Sequence, residues 1–211
     1  MIHSEIQVGG SVSSFPTHTG ERVYMVPFYP KDGVPRELAR WQSVVDNMLE
    51  DVWVVGPVYL MIDQGIVEAG ATHRRSGLHV DGNWKVSDDG HRHPFPAHRH
   101  PQPHPSQKKP IDGHHQHRQS HVHGGEYQPE LLILTSNTSA ACRAFAGTFD
   151  GVPGPDGNCS HIDCSAGHEV LFESGRVYRG NATLVHESLP VPFRCARALV
   201  RLNVPGAQLP A

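Results

Sequence analysis

From residue 131 to residue 204 the sequence is a succession of short apolar runs separated by turn residues. Leu131–Leu134, Ala140–Phe149, Glu169–Phe172, Arg176–Tyr178, Ala182–His186 and Arg197–Val204 each read as a strand. The breaks between them are rich in glycine, proline and serine: residues Gly151–Gly157 must form a loop, and Ser174-Gly175 marks a turn. Many short strands with frequent turn signals leave two main solutions, a sandwich or a jelly roll.

The first half adds a helix and further strands. No element is evident over residues 1–20, which are small and polar. Arg22–Tyr29 reads as an apolar strand. Pro35 then opens a helical pattern, because Leu38, Trp41, Val45, Met48, Leu49 and Val52 recur at spacings of three and four and fall on one face. Proline suits a first helical turn, where its missing N–H would be unpaired anyway. Val58–Ile62 is predicted as a strand and Ile66–His73 as another, with Gly65 at the turn between them. The expected class is therefore mainly β with one packing helix, in a single domain over 1–211 in which residues 1–53 act as a strand-and-helix support.

Residues 85–128 differ in kind. Ten of the seventeen histidines lie between His91 and His123, among prolines, glutamines, lysines and arginines. With almost no apolar side chains, such a stretch cannot offset the entropy of ordering. It is expected to be a mobile, solvated insertion, with at most loose metal binding by its histidines.

Composition argues against several classes of function. A formal charge of -3 provides no strongly basic face for nucleic acid. Four cysteines make no dense disulfide framework. No run approaches the ~18 apolar residues of a membrane span, and the first residues lack a basic-then-apolar leader. A soluble, cytoplasmic protein is the expectation.

The chemistry-bearing pattern is Gly77-Leu78-His79-Val80-Asp81-Gly82. Alternation along a strand sends His79 and Asp81 to the same side, as co-ligation of one metal requires. A second copy, His161-Ile162-Asp163, sits in a loop without flanking strands and ranks below it. A distal histidine, His186, ends the apolar run Thr183–Val185. Two histidines and one carboxylate form the facial ligand set of non-haem Fe(II) oxygenases. On the last strand Arg197, Leu199, Arg201 and Asn203 share a face. Arginines in an apolar strand need a partner, since buried charge is costly unless paired. A carboxylate ligand, gripped by parallel hydrogen bonds, would be such a partner. Glu187 or solvent are the alternatives.

Other motifs are weaker. Cys159 and Cys164, with His161 and His168, have spacing unlike the usual zinc cluster. Cys142 has no nucleophile signature, Gly151–Gly157 lacks the Lys-Ser/Thr of a phosphate loop, and Ser188 is not in a nucleophile elbow.

His79-X-Asp81, then His186, then an arginine ten to fifteen residues further on, resembles the Fe(II)/2-oxoglutarate-dependent dioxygenase superfamily over roughly residues 54–205. The resemblance implies a double-stranded β-helix (a jelly roll, cupin-like) in which His79, Asp81 and His186 bind Fe(II). It implies that Arg197 or Arg201, eleven and fifteen residues after His186, binds the distal carboxylate of the cosubstrate 2-oxoglutarate. The implied activity is hydroxylation of a C–H bond on a small molecule or a side chain. The chain departs from the family in its histidine-rich insertion and in lacking an Arg-X-Ser after the distal histidine, Asn203 standing where that serine would follow Arg201. The alternatives are a cupin-like metal-binding protein without 2-oxoglutarate chemistry, and a cupin-type isomerase or dioxygenase that uses no cosubstrate.

Overall fold

The long terminal strand, Cys195–Pro205, is the spine of the molecule. The structure, a computed structural model, describes residues 1–81 and 130–209. These residues belong to one compact unit, Met1–Trp84 with Gln128–Ala211. The expected insertion at 85–128 lies outside the described residues. In chain order the strands are β1 (Ile2–Ser4), β2 (Ile6–Ser11), β3 (Arg22–Phe28), β4 (Val58–Val67), β5 (Glu130–Ser136), β6 (Cys142–Phe149), β7 (His168–Leu171), β8 (Arg176–Asn181), β9 (Val185–Ser188) and β10 (Cys195–Pro205). One α-helix, α1 (Gln42–Leu49), completes the set.

Among the described residues, ten strands and one short α-helix make the protein mainly β, and every strand pairing is antiparallel. The larger sheet runs β2-β8-β5-β10-β4-β3. The smaller has β6 at its centre, paired with β1, β7 and β9. β10 lies between β4 and β5, so its interior run is buried on both faces.

Alternation along β10 divides the core in two. Ala198, Val200, Leu202 and Val204 pack with Leu131, Ile133, Leu60 and Ile62 against Trp41, Val44, Val45 and Met48. Leu199 faces the other way, with Met61, Leu132, Leu134 and Tyr178, and meets Cys142, Ala144 and Leu184 of the smaller sheet and its approach. This second layer is the space between the sheets. The outer face of the smaller sheet is covered by Val80, Cys159, Ile162 and Cys164 packing on Phe145, Phe149 and Val185. Each such buried aliphatic or aromatic side chain contributes roughly 1.5–3 kcal/mol.

Several expectations are corrected. The helical pattern holds over 36–49, with Leu38, Trp41, Val45 and Met48 buried, but α1 stops at Leu49, so Val52 lies beyond the helix, and Leu49 and Val52 are only partly buried against the core. Its first part, Arg36–Trp41, is a 3-10 helix, and Pro35 stands just before it rather than in its first turn. The indole N–H of Trp41 donates to Glu21 Oε2 at 2.6 Å, which ties this segment to the chain entering β3. Residues 1–20, without an evident element, contain β1 and β2, one joining each sheet. Gly65 is not at a turn: β4 runs through it to Val67, and residues 68–73 turn back over the sheet. Gly65 lies opposite Arg197, and a Cβ there would come within 2.9 Å of His73 Nε2 and 3.3 Å of Arg22 Nη2. The glycine serves close approach, not chain reversal. Among the described residues no helix is long and apolar enough to cross a membrane.

Candidate metal centre

The stretch Gly77–Asp81 forms a ribbon held on both edges. On one edge His79 N donates to His186 O and His186 N donates to His79 O, both at 2.9 Å. On the other, Val80 N donates to Gly157 O at 2.9 Å and Cys159 N to Leu78 O at 2.8 Å. His79 and His186 are therefore directly opposed in an antiparallel pair, so their side chains leave the same face. Val80, between His79 and Asp81, turns the other way into the outer apolar layer.

The side chains converge. The rings of His79 and His186 have centroids 4.5 Å apart at 50°. His186 Nε2 lies 3.4 Å from Asp81 Oδ2, and His79 Nε2 lies 3.9 Å from Asp81 Oδ1. One ligand atom from each of the three falls within 4.8 Å of the others, so the trio can hold a metal ion. Both histidines are buried and Asp81 is part-buried.

The ring nitrogens suit that role. His79 Nδ1 is 2.8 Å from Gly77 O, and His186 Nδ1 is 3.0 Å from Leu184 O. A carbonyl only accepts, so Nδ1 carries the hydrogen in each ring and Nε2 presents its lone pair toward the centre. Burial, then the neighbouring His186, pushes the His79 pKa down to about 4 against the pull of Asp81. His79 is thus neutral near pH 7, the ligating form. Burial opposes ionisation of Asp81, but the Arg201 guanidinium and the two imidazoles outweigh it and hold that carboxyl well below its usual range.

Arg201 is the hinge of this arrangement. Its Nη1 donates to Asp81 Oδ2, and its Nη2 lies 3.9 Å from Met25 Sδ. Met25 reaches it from an irregularity in the β3–β4 ladder, where Met25 itself has φ 53°. Such bulges re-aim side chains. A carboxylate has about four lone-pair directions, so the bond from Arg201 leaves Asp81 able to coordinate.

Arg197 is placed differently. It is fully buried, and its Nε donates to Ser136 Oγ at 3.3 Å. Its Nη1 and Nη2 have no hydrogen-bond partner among the described residues. Burial pushes its pKa down. Nearby Cys142 supplies no counter-charge, because burial raises that thiol to about 12. Asp63, the one carboxylate whose charge acts notably on Arg197 among the described residues, is already engaged. It meets Arg74 Nη1 at 2.9 Å, Arg22 Nε at 3.2 Å and His73 Nε2 at 3.4 Å. Glu187 serves neither arginine: Arg143 holds it from Nε at 2.8 Å and Nη2 at 2.6 Å.

The look-alike residues do other work. His161 Nε2 lies 3.0 Å from Val152 O, and Asp163 Oδ1 accepts from Ser165 N at 2.9 Å. Their loop supplies Gly157 and Cys159, which clamp the His79 ribbon. Cys159 and Cys164 are free, buried members of the apolar layer, and among the described residues they assemble no metal cluster. Sequence reasoning missed Asp63, His73 and Arg74. The signal was a carboxylate at an inward position of the apolar run Val58–Val67, two residues before a glycine.

Scanned against protein-family models, the chain matches none, and searches of curated proteins and of solved structures find no match either.

Proposed function

We propose that this protein is an Fe(II)- and 2-oxoglutarate-dependent oxygenase on a double-stranded β-helix, coupling decarboxylation of 2-oxoglutarate to oxidation of a substrate C–H bond. The observation that carries the reading is Arg197, a buried guanidinium with two unpartnered nitrogens, on the same strand face as the arginine that grips Asp81. An uncompensated buried charge costs several kcal/mol. The planar fork of a guanidinium fits a carboxylate through two parallel bonds. Arg197, rather than Arg201, is the residue we assign to the distal carboxylate of 2-oxoglutarate, because Arg201 is committed to Asp81.

The winding of the chain supports the jelly-roll reading. From β4 onward, successive segments alternate between the sheets: β4 in the larger, His79 beside β9 in the smaller, then β5, β6 with β7, β8, β9 and β10. The ligands come from the smaller sheet and the arginines from the larger, facing each other across the inner layer.

The donor set fits iron: two imidazoles and a carboxylate on one side leave positions open on the other. When bound, Fe(II) supplies the site where 2-oxoglutarate and O2 meet and where O2 is activated. The chain's residues do the rest. The Gly77 and Leu184 carbonyls fix the imidazole orientations. Arg201 keeps Asp81 ionised. Met61, Leu134 and Leu199 line the inner layer and keep it dry. The substrate is a small molecule or a side chain.

Turnover tests the reading. Purified protein with Fe(II), 2-oxoglutarate and O2 should form succinate, and a chelator should stop it. Metal-loaded protein that forms no succinate above a protein-free blank would contradict the proposal.

A further inference from the structure

The inner face of the larger sheet carries a second group of buried polar atoms that the metal centre does not use. Glu130 opens β5 and Asn203 lies near the end of β10. By alternation Glu130 faces the same way as Leu132 and Leu134, and Asn203 the same way as Leu199 and Arg201. Both are well buried, at 8% and 3% exposure.

Asn203 Nδ2 donates to Glu130 Oε1 at 2.9 Å. The carboxylate accepts only, so this bond fixes which end of the amide faces it. Two acceptors are left over. Glu130 Oε2 and Asn203 Oδ1 are buried, and neither has a hydrogen-bond partner among the described residues. A buried acceptor without a donor costs about 1–3 kcal/mol, so the pair is a poor packing solution in its own right. Tyr59 is registered directly opposite Asn203 on β4 and faces the same side as Met61. A carboxylate, an amide oxygen and an aromatic ring all favour a cation that carries N–H donors.

The location relates this group to the metal centre. Asn203 follows Arg201 by two residues, roughly 7 Å along the same face of the strand, and Arg201 is bonded to Asp81. Arg197 lies on the opposite side of Arg201. The centre is therefore flanked by a guanidinium in want of an anion and, on its other side, by acceptors in want of a cation.

We propose that Glu130 and Asn203 recognise an ammonium or guanidinium group of the substrate and seat it beside the metal centre. The substrate role rests on the oxygenase reading; the cation site itself does not.

Isothermal titration calorimetry on the full chain without added metal reads the site, using n-pentylammonium, n-butylguanidinium and neutral n-pentanol. At least one cation should bind at least about tenfold more tightly than the alcohol, the factor a charge-assisted hydrogen bond supplies, and the preferred head group names the substrate class. Glu130→Gln should bring the cation down to the level of the alcohol, and Asn203→Leu should weaken it in the same direction. Circular dichroism checks each fold, and should one variant fail to fold, the other carries the comparison. Equal binding of cations and alcohol, or folded variants that bind the cation like the parent, would overturn the site. In protein loaded anaerobically with Fe(II) and 2-oxoglutarate, the bound cation should shift the visible charge-transfer band. A band indifferent to a cation that binds would overturn the substrate role. Cation binding in metal-loaded protein that shows no band would overturn the oxygenase reading and the substrate role with it, leaving the cation site standing.

Discussion

His79 and His186 are bound to each other twice through their backbones, and each fixes its ring by donating Nδ1–H to the carbonyl two residues upstream. The same local device, used on two segments more than a hundred residues apart in sequence, brings two Nε2 lone pairs to one point. Asp81 completes the set from the same ribbon as His79.

Each ligand should be needed for metal. His79→Ala, Asp81→Ala and His186→Ala should each weaken Fe(II) binding at least about a hundredfold, the upper end for loss of even an outer-shell partner. Equilibrium dialysis with metal analysis checks this. Binding undiminished in any of the three would remove that residue from the centre.

Arg197→Met separates cosubstrate from metal. Losing a charge-assisted pair costs about 1.5–3 kcal/mol, or roughly 10–150-fold in affinity for 2-oxoglutarate. Fe(II) affinity should be unchanged. The melting temperature of the ligand-free protein should stay level or rise, because an unpartnered buried charge has been replaced by an apolar chain. A loss of stability would show that the Arg197 charge is already compensated in the ligand-free protein.

Asp63 should shape the acid limb of stability. Burial opposes its ionisation, but His73 and Arg74 outweigh this and depress its pKa from the ordinary 3.8. A depressed acid contributes stability that is fully present above its unfolded pKa and is lost as pH falls toward the folded value. Asp63→Asn should therefore destabilise by about 3 kcal/mol near neutrality, and the gap from the parent should shrink below about pH 4. Urea melts between pH 7 and pH 2 measure it. A constant gap would mean that Asp63 is not held by its cationic neighbours.

Gly65→Ala tests close packing at the cationic end of the inner layer. The new Cβ would stand 2.9 Å from His73 Nε2. Overpacking of this kind costs about 1–3 kcal/mol, seen as a lower melting temperature.

Local pattern carried much of the fold. β5, β6 and β10 are apolar runs, and alternation alone sorted Arg197, Leu199, Arg201 and Asn203 onto one face of β10. The helix face of Leu38, Trp41, Val45 and Met48 followed from spacing. What local pattern does not contain is pairing. Nothing near Gly65 says that β4 continues through it, since the glycine answers to His73 and Arg22 across space. β1 and β2 are short and polar, and only their partners β6 and β8 make them strands. The triad could be listed from residue types, but its opposition rests on a backbone pairing between residues 79 and 186. That Arg201, and not Arg197, bonds Asp81 was not legible, because both share a strand face and only the position of Asp81 separates them.

The most direct measurement is an anaerobic titration of the metal-free protein with Fe(II) and then 2-oxoglutarate, followed in the visible. The centre described here predicts a weak metal-to-ligand charge-transfer band at one equivalent of each, absent in His79→Ala and reached only at higher 2-oxoglutarate in Arg197→Met. Fe(II) bound at His79, Asp81 and His186 with no such band would contradict it.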